Sequence, residues 1–220
     1  MRFIIHEQPY ERPIMAGRLR YERDGVPTGA VESWRLTAAA DDYRFLRVDM
    51  DAREAPSGRS SLYHATLNAA GRPEQLKYRF WGDSHEVSGT AVWDGDEIIA
   101  TRWVDGNVYE DVARGTAFWF PSGAGLAMLA QFAGETRGAT LLANPADPHR
   151  LMAIVETTVS IEWGEAAVEQ VDVEIHAVRP LTVAWGDQKR VVWLDHVGRP
   201  LRIRRGDGLT AEAERLVRFG

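Results

Sequence analysis

The sequence contains no cysteine, and this absence excludes several kinds of site. Structural disulfides, thiolate nucleophiles, cysteine-ligated zinc and cysteine-ligated iron–sulfur clusters all depend on that residue. The six histidines are scattered along the chain, since no two of them lie within five residues of each other. The sequence therefore predicts neither a metal site nor a bound cofactor.

The chain also has no excess of positive charge. With 26 Lys and Arg against 32 Asp and Glu, the 220 residues have a formal net charge of −6. Proteins that bind nucleic acid need a concentrated basic surface to displace the counterions of the phosphates. The one basic run, residues 202–205, has the alternation that is typical of the solvent face of a strand. We therefore expect no nucleic-acid partner.

Long hydrophobic runs are missing as well. The N-terminal stretch has consecutive apolar residues only at 3–5, which is too few for the apolar core of a signal peptide, roughly 7–15 residues. No run approaches the roughly 18 apolar residues that a membrane-spanning helix needs. These observations predict a cytoplasmic protein without a membrane span.

The common catalytic signatures are absent too. The chain has no G-x-x-x-x-G-K-[ST] phosphate loop and no G-x-G-x-x-G motif between a strand and a helix. Residues 121–125, PSGAG, lack the glycine two positions before the serine that a nucleophile elbow requires. The sequence thus favours a non-catalytic role and leaves one catalytic alternative open.

The chain consists largely of short segments that are rich in β-branched and aromatic residues, and many of them alternate between polar and apolar positions. In QLKYRF, the apolar Leu76, Tyr78 and Phe80 share one face of a predicted strand. Lys77 and Arg79 share the other face. Clusters of Gly, Asp and Asn separate such segments at short intervals, which indicates hairpins rather than helical connections.

One segment breaks the strand pattern. Pro121 ends the strand-like residues before it, Ser122 can cap a helix, and Gly134 can end that helix. The predicted helix has about ten residues and is apolar around much of its circumference, so it must be buried on several sides. We therefore predict a single all-β domain over residues 1–220. It is a large curved antiparallel meander that forms a half-barrel or open barrel around this apolar helix.

A turn-forming sequence occurs twice, as NAAGRP from Asn68 and as DHVGRP from Asp195. Asn or Asp in first place and Gly in fourth are typical of a type I turn with a bulge, and the following Pro suits the start of a strand. The two glycines, Gly71 and Gly198, are 198 − 71 = 127 residues apart. This recurrence indicates either two similar halves that meet near residues 122–150 or the chance repetition of a favourable turn.

Aromatic and apolar side chains support the main functional prediction. The chain has 8 Trp, several of them beside Gly-Asp or Asp-Gly turns, where an amphipathic indole suits the rim of a cavity. We predict that an apolar or amphipathic, lipid-like small molecule binds on the concave side of the sheet. The predicted ligand-binding residues are Phe118, Trp119, Phe120, Leu126, Met128, Leu129 and Phe132 in the lining, with Trp81 and Trp103 at the mouth.

Two other functions remain open at this point. Asp49 and Asp51 share one face of a predicted strand with two arginines, and this row is either a salt-bridged outer surface or the polar lining of a barrel. In the second case Asp51 and His64 would act as the acid and base of an enzyme. The third function is a structural module that forms a homodimer through an exposed strand edge.

The segment WLDHVGRPLRI, residues 193–203, and the order of strands and helix across most of the chain resemble the LolA-like half-barrels, which are periplasmic lipoprotein carriers. The same features resemble the related glycolipid-binding domains, whose biochemistry is unknown. The resemblance implies a concave sheet that holds a lipid tail under a helical lid. The predicted absence of a signal peptide differs from the secreted carriers, and it implies a cytosolic apolar ligand instead of lipoprotein traffic.

Overall fold

The computed structural model describes residues 7–56, 58–82, 84–143, 145–171 and 174–219. Most of these residues lie in strands, which confirms the all-β prediction. The strands are β1 (Arg12–Arg23), β2 (Val26–Ala38), β3 (Arg44–Asp51), β4 (Ser60–Leu67), β5 (Pro73–Gly82), β6 (His85–Asp94), β7 (Glu97–Val104), β8 (Asn107–Arg114), β9 (Ala117–Trp119), β10 (Arg137–Leu141), β11 (Ile154–Trp163), β12 (Ala167–Val171), β13 (Glu174–Trp185), β14 (Gln188–Asp195), β15 (Pro200–Arg205) and β16 (Leu209–Arg218). The helices in these ranges are α1 (Gly123–Ala127) and 3-10 turns at Ala40–Asp42, Met128–Phe132 and Pro148–Arg150.

The strands form one large open sheet. Its order is β8-β7-β6-β5-β4-β3-β2-β1-β16-β15-β14-β13-β11-β10-β9, and β12 pairs with β13 beside this path. Because β1 pairs with β16, the first and last strands lie together in the middle of the sheet. One pairing departs from the predicted antiparallel meander, since β9 and β10 are parallel. A parallel pair needs a crossover connection, which the helical segment between these two strands provides.

The sheet curves around β9 and α1, as the sequence predicts. We call the face that packs against these elements the inner face and the opposite one the outer face. Phe120 packs mainly with inner side chains of β2–β8, whereas Leu129 packs mainly with those of β1 and β11–β16. Strand β8, at one margin of the sheet, approaches β11 near the other margin, since the Arg114 backbone N–H donates to the Glu156 carboxylate over 2.7 Å. The apolar segment therefore fills the hollow between the two halves of the sheet.

The helical segment is tighter than predicted. Its α-helical part has five residues, and residues 128–132 continue it as a 3-10 helix. The ends are those that the sequence indicates: the Ser122 hydroxyl oxygen accepts from the Gly125 N–H (2.8 Å), and Gly134 has a φ of +91°. Glycine adopts that left-handed conformation without the strain that a Cβ causes.

A buried carboxylate holds the start of α1. Glu32 on β2 points inward and is fully buried. Its Oε2 accepts from the Gly123 N–H (2.7 Å) and from the Tyr21 hydroxyl (2.6 Å). Its Oε1 accepts from the Ala124 N–H (2.8 Å), so two N–H groups of the first helical turn, which lack intrahelical partners, are satisfied. One side chain thus connects β1, β2 and α1.

Gly125→Ala is expected to destabilise the protein, although alanine is the better helix former. A Cβ at this position would overlap the carbonyl oxygen of Phe120, which belongs to the backbone and cannot rotate away. The expected decrease in the free energy of unfolding is about 1–3 kcal/mol. Gly206→Ala, whose Cβ would have no atom within 4 Å, is the control in denaturant unfolding. If Gly125→Ala were as stable as the wild type, this close approach would be incorrect.

The two GRP turns have the same geometry. Asn68 Oδ1 and Asp195 Oδ1 each accept from the backbone N–H groups two and four residues later, over 2.9–3.1 Å. Gly71 and Gly198 both have positive φ, and both hairpins contain a bulge just before the turn. Strands β5 and β15 start at the prolines, which confirms the predicted role of the turn.

The strands around these turns also correspond. An offset of 127 residues places β2–β6 onto β11, β13, β14, β15 and β16, with β12 as an insertion. Both sets are runs of neighbouring antiparallel strands, so the turns occupy equivalent places in the two halves. An internal duplication stays a hypothesis, and this correspondence is in its favour.

Candidate functional site

The seven apolar residues that the sequence predicts as a ligand lining all lie in the hydrophobic core. They are Phe118, Trp119, Phe120, Leu126, Met128, Leu129 and Phe132, and each is at most 9% exposed. The ring of Phe120 stacks on Tyr63 with 4.4 Å between the centroids, and Trp119 meets Trp185 edge-on at 5.1 Å. A ligand among these side chains would have to displace this packing.

The two tryptophans predicted at the mouth lie on the other face of the sheet. Trp81 and Trp103 alternate with the inward-pointing Phe80 and Val104, so both indoles are on the outer face. The Arg79 guanidinium stacks over the Trp81 ring at 5.0 Å, and Trp103 is 41% exposed. Neither tryptophan borders the hollow around α1, which corrects their predicted position.

The structure does not bring the acid–base pair of the catalytic alternative together. His64 on β4 lies opposite Arg47 on β3, whereas Asp51 is 51 − 47 = 4 residues further along β3. Four residues of a strand span about 13 Å. The Asp51 carboxylate instead accepts two hydrogen bonds from the Arg53 guanidinium, over 2.8 and 3.0 Å. This row of charges is a salt-bridged part of the outer face.

His64 is half-buried on the outer face, between Arg47 of β3 and Lys77 of β5. Burial and the positive charges of these two neighbours lower the pKa of His64 to about 4, although Glu11 acts in the opposite direction. Its Nε2 is buried and has no hydrogen-bond partner among the described residues. A base with so low a pKa is poorly matched to proton transfer near pH 7.

A concavity of about 350 Å³ opens to solvent on the outer face of β4–β7, and we call it the outer groove. Its lining residues are Leu62, Tyr63, Lys77, Tyr78, Arg79, Ser88, Gly89, Thr90 and Trp103. By the alternation of the strands, Tyr63 and Tyr78 point inward and contribute to the floor. Of the nine residues predicted to bind a ligand, only Trp103 belongs to this lining.

The register of four strands explains the shape of the outer groove. Two rows of directly opposed residues cross it, one formed by His64, Lys77, Thr90 and Thr101 and the other by Leu62, Arg79, Ser88 and Trp103. The β6 members of both rows, Ser88 and Thr90, have short side chains, whereas the neighbouring members on β5 and β7 are mostly long. The groove is the depression above β6 between the taller side chains.

The outer groove combines apolar and polar chemistry. Trp103 and Leu62 offer apolar surface at opposite sides, and the hydroxyls of Ser88 and Thr90 lie between them. Arg79 is held at the edge, because its guanidinium donates to the Glu86 carboxylate over 2.6 Å. Exposed apolar residues continue the outer face beyond the groove on β6, β7 and β8, namely Val92, Ile99, Val108 and Val112. This surface suits a molecule with both an apolar and a polar part.

The other buried charges have structural partners. Arg102 on the inner face donates from Nε to Asp111 (2.7 Å) and from Nη1 to the His149 carbonyl oxygen (2.6 Å), which fixes the connection before β11. In the part of the chain that the structure describes, no three His, Asp or Glu side chains are grouped so that they would hold a metal ion. Among the described residues, no helix is both long enough and apolar enough to cross a membrane.

Comparisons with known proteins do not identify a family. No family model and no curated protein matches the chain. The solved structure of PNGF-II is similar with a TM-score of 0.34 and 8% identity, over 95% of this chain and 28% of PNGF-II. A candidate lipoprotein from Parabacteroides distasonis ATCC 8503 is similar with a TM-score of 0.34 and 5% identity, over 94% of this chain and 96% of that one. The chain thus spans less than a third of PNGF-II, and the LolA-like resemblance stays a prediction.

Proposed function

We propose that this protein binds an amphipathic small molecule in the outer groove without catalysing a reaction. The observation that supports this proposal most directly is the contrast between the two faces of the sheet. The inner face is filled by α1 and its neighbours, whereas the outer face has an open depression with an exposed indole at its side. The proposed ligand is therefore still an amphipathic small molecule, but its proposed binding site is on the outer face and not on the concave side.

The chemistry of the outer groove matches such a ligand. The indole of Trp103 and the side chain of Leu62 provide apolar contact, while two hydroxyl groups and two cationic side chains provide polar contact. Ligand pockets usually enclose about 300–1,000 Å³ and combine apolar walls with a few polar groups. The volume of about 350 Å³ lies at the small end of that range.

The catalytic alternative receives no support from the positions of its two residues. The Asp51 carboxylate accepts from the Arg53 guanidinium. His64 lies between Arg47 and Lys77 instead of beside Asp51, and its pKa is low. Homodimerisation through a strand edge and a cytoplasmic location stay predictions. Non-catalytic binding is the function that the geometry favours.

Trp103→Ala is expected to weaken the binding of an amphipathic probe about tenfold, because truncation removes an aromatic anchor worth roughly 1.4 kcal/mol or more. The probes are 1-octanol and octanoate, titrated into ¹⁵N-labelled protein and followed by NMR. The amide signals of Leu62, Ser88 and Thr90 should move together in the wild type. Trp193→Ala, a partly buried tryptophan on β14 outside the groove, is the matched control. Shifts confined to residues around α1 would place the ligand on the inner face and refute the outer site.

A further inference from the structure

We infer that the outer groove recognises a negatively charged group of its ligand at Lys77, so that the ligand is an amphiphile with a carboxylate, phosphate or sulfate head. This inference rests on the proposed function and names the class of ligand. It goes beyond the apolar contact of Trp103, because it assigns a second, polar end to the groove.

Lys77 differs from the other basic side chains nearby in its ion pairing. Arg47 is paired with Glu11 over 2.7 Å, and Arg79 is paired with Glu86 over 2.6 Å. Among the described residues, no carboxylate oxygen lies within 4 Å of the Lys77 ammonium group, and the residue is exposed. Within the part of the chain that the structure describes, the Lys77 ammonium group in the groove lining therefore has no ion-pair partner.

Lys77 forms the polar end of the outer groove, and Trp103 forms its apolar end. Across β5 and β6 it lies directly opposite Thr90, whose hydroxyl can donate to an anion bound by the ammonium group. Trp103 belongs to the other row and lies on the far side of β6. An apolar tail on Trp103 and an anionic head at Lys77 would together span the groove.

The charges of the groove lining disfavour a ligand with a cationic head. The described lining residues of the outer groove include two cationic side chains and no Asp or Glu. The ring of His64 beside Lys77 has a pKa that burial and two positive neighbours, Arg47 first and Lys77 second, hold low. A cationic head would be repelled here, whereas an anion would reduce the positive potential that both His64 and Lys77 experience. A lysine ammonium is a compact point charge that suits a carboxylate or a phosphate oxygen.

The test compares octanoate with 1-octanol, which have the same chain length and differ in the charge of the head. Octanoate should bind the wild type about tenfold more tightly than 1-octanol does, because its carboxylate forms one charge-assisted hydrogen bond with Lys77. Lys77→Met, which keeps the length of the side chain without its charge, should remove this difference, and Lys77→Arg should retain most of it. The chain has only one other lysine, Lys189 on β14, and Lys189→Met is the control that leaves the preference unchanged.

A second readout needs no variant. Bound octanoate should raise the pKa of His64 in the wild type, because the anion opposes the positive charges beside the ring, whereas bound 1-octanol should not. Proton NMR of the imidazole C–H signals measures this change. Equal affinities for the two probes at the groove, with no effect of Lys77→Met and an unchanged His64 pKa, would overturn the anion preference and leave the proposed function intact. If neither probe shifts the amide signals of the groove, the proposed function fails, and this inference fails with it.

Discussion

Glu32→Ala is expected to lower the free energy of unfolding by about 3–5 kcal/mol. The substitution leaves the N–H groups of Gly123 and Ala124 and the hydroxyl of Tyr21 buried without their common acceptor. Each buried donor that loses its acceptor costs about 1–3 kcal/mol. Three such donors together cost several times more than an ordinary surface substitution. Equilibrium unfolding in urea, followed by tryptophan fluorescence, measures the difference.

Glu32→Gln separates the loss of an acceptor from the loss of side-chain volume. A carboxyl group can accept on both oxygens, whereas an amide has one oxygen and an NH₂ group that only donates. Because Gly123 and Ala124 donate to different side-chain oxygens, glutamine would place its NH₂ group against one of these two N–H groups, and we expect a loss of about 1–3 kcal/mol. Glu110→Gln, at an exposed position of β8, is the control and should change stability by less than about 0.5 kcal/mol. Equal stabilities of these two variants would mean that Glu32 does not hold the helix.

The same residue predicts a pH dependence. Burial raises the pKa of Glu32 above its ordinary value, while the hydrogen bonds from Tyr21, Ala124 and Gly123 act in the opposite direction. Between the unfolded-state pKa and the raised folded-state pKa, the native protein binds more protons than the unfolded chain. The contribution of Glu32 to stability is thus complete below the unfolded pKa and is lost as the pH rises through the folded pKa. The stability difference between the wild type and Glu32→Gln should therefore narrow as the pH rises through this window.

Phe120→Ala is expected to lower the free energy of unfolding by about 3–5 kcal/mol, the usual cost of emptying an aromatic site in a packed core. The side chain has no exposed surface, and its ring stacks on Tyr63. Because Phe120 packs against inner side chains of β2–β8, its removal leaves a cavity between the apolar segment around α1 and the sheet. Val112→Ala, at a residue that is 62% exposed on β8, provides the control with a small expected effect.

The size of the Phe120 effect distinguishes a core from a ligand-binding lining. A side chain that lines an open space already lacks neighbours on one side, so its truncation costs little stability and mainly changes ligand binding. A loss below about 1 kcal/mol, combined with weaker binding of octanoate, would restore the concave side of the sheet as the binding site. A large loss, with octanoate binding to the remaining folded protein unchanged, supports the outer groove.

The sequence predicts much of the fold because local patterns determine much of it. The alternation in residues 75–80 places Leu76 and Phe80 on one face and Lys77 on the other, and the structure follows this pattern. The turn at Asn68 and the helix start at Ser122 depend on hydrogen bonds over two to four residues, so they too are readable from neighbouring positions. The length of the α-helical part was harder to predict, since residues 128–132 continue the segment as a 3-10 helix and no residue pattern there distinguishes the two helix types.

The structure places several residues of the sequence-based functional predictions away from the positions that we expected for them. Alternation alone shows that Trp81 and Phe80 lie on opposite faces, but not which strands meet above α1. The separation of Asp51 from His64 depends on the register between β3 and β4, which the intervening loop and the packing decide together. A shift of register changes every cross-strand neighbour, so pairings of this kind cannot be derived from one strand at a time.

By itself, then, the sequence determined the strands, the turns and the burial of one apolar segment, because these depend on the period of side chains and on short-range hydrogen bonds. Only the tertiary structure decided which residues far apart in the sequence contact each other. Alternation places Glu32 on the same face of β2 as Trp34 and Leu36, but no local pattern indicates that it meets Gly123, 91 residues away along the chain. The outer groove likewise exists because the short side chains of β6 lie between longer ones of β5 and β7, an arrangement that appears when the strands are paired in register.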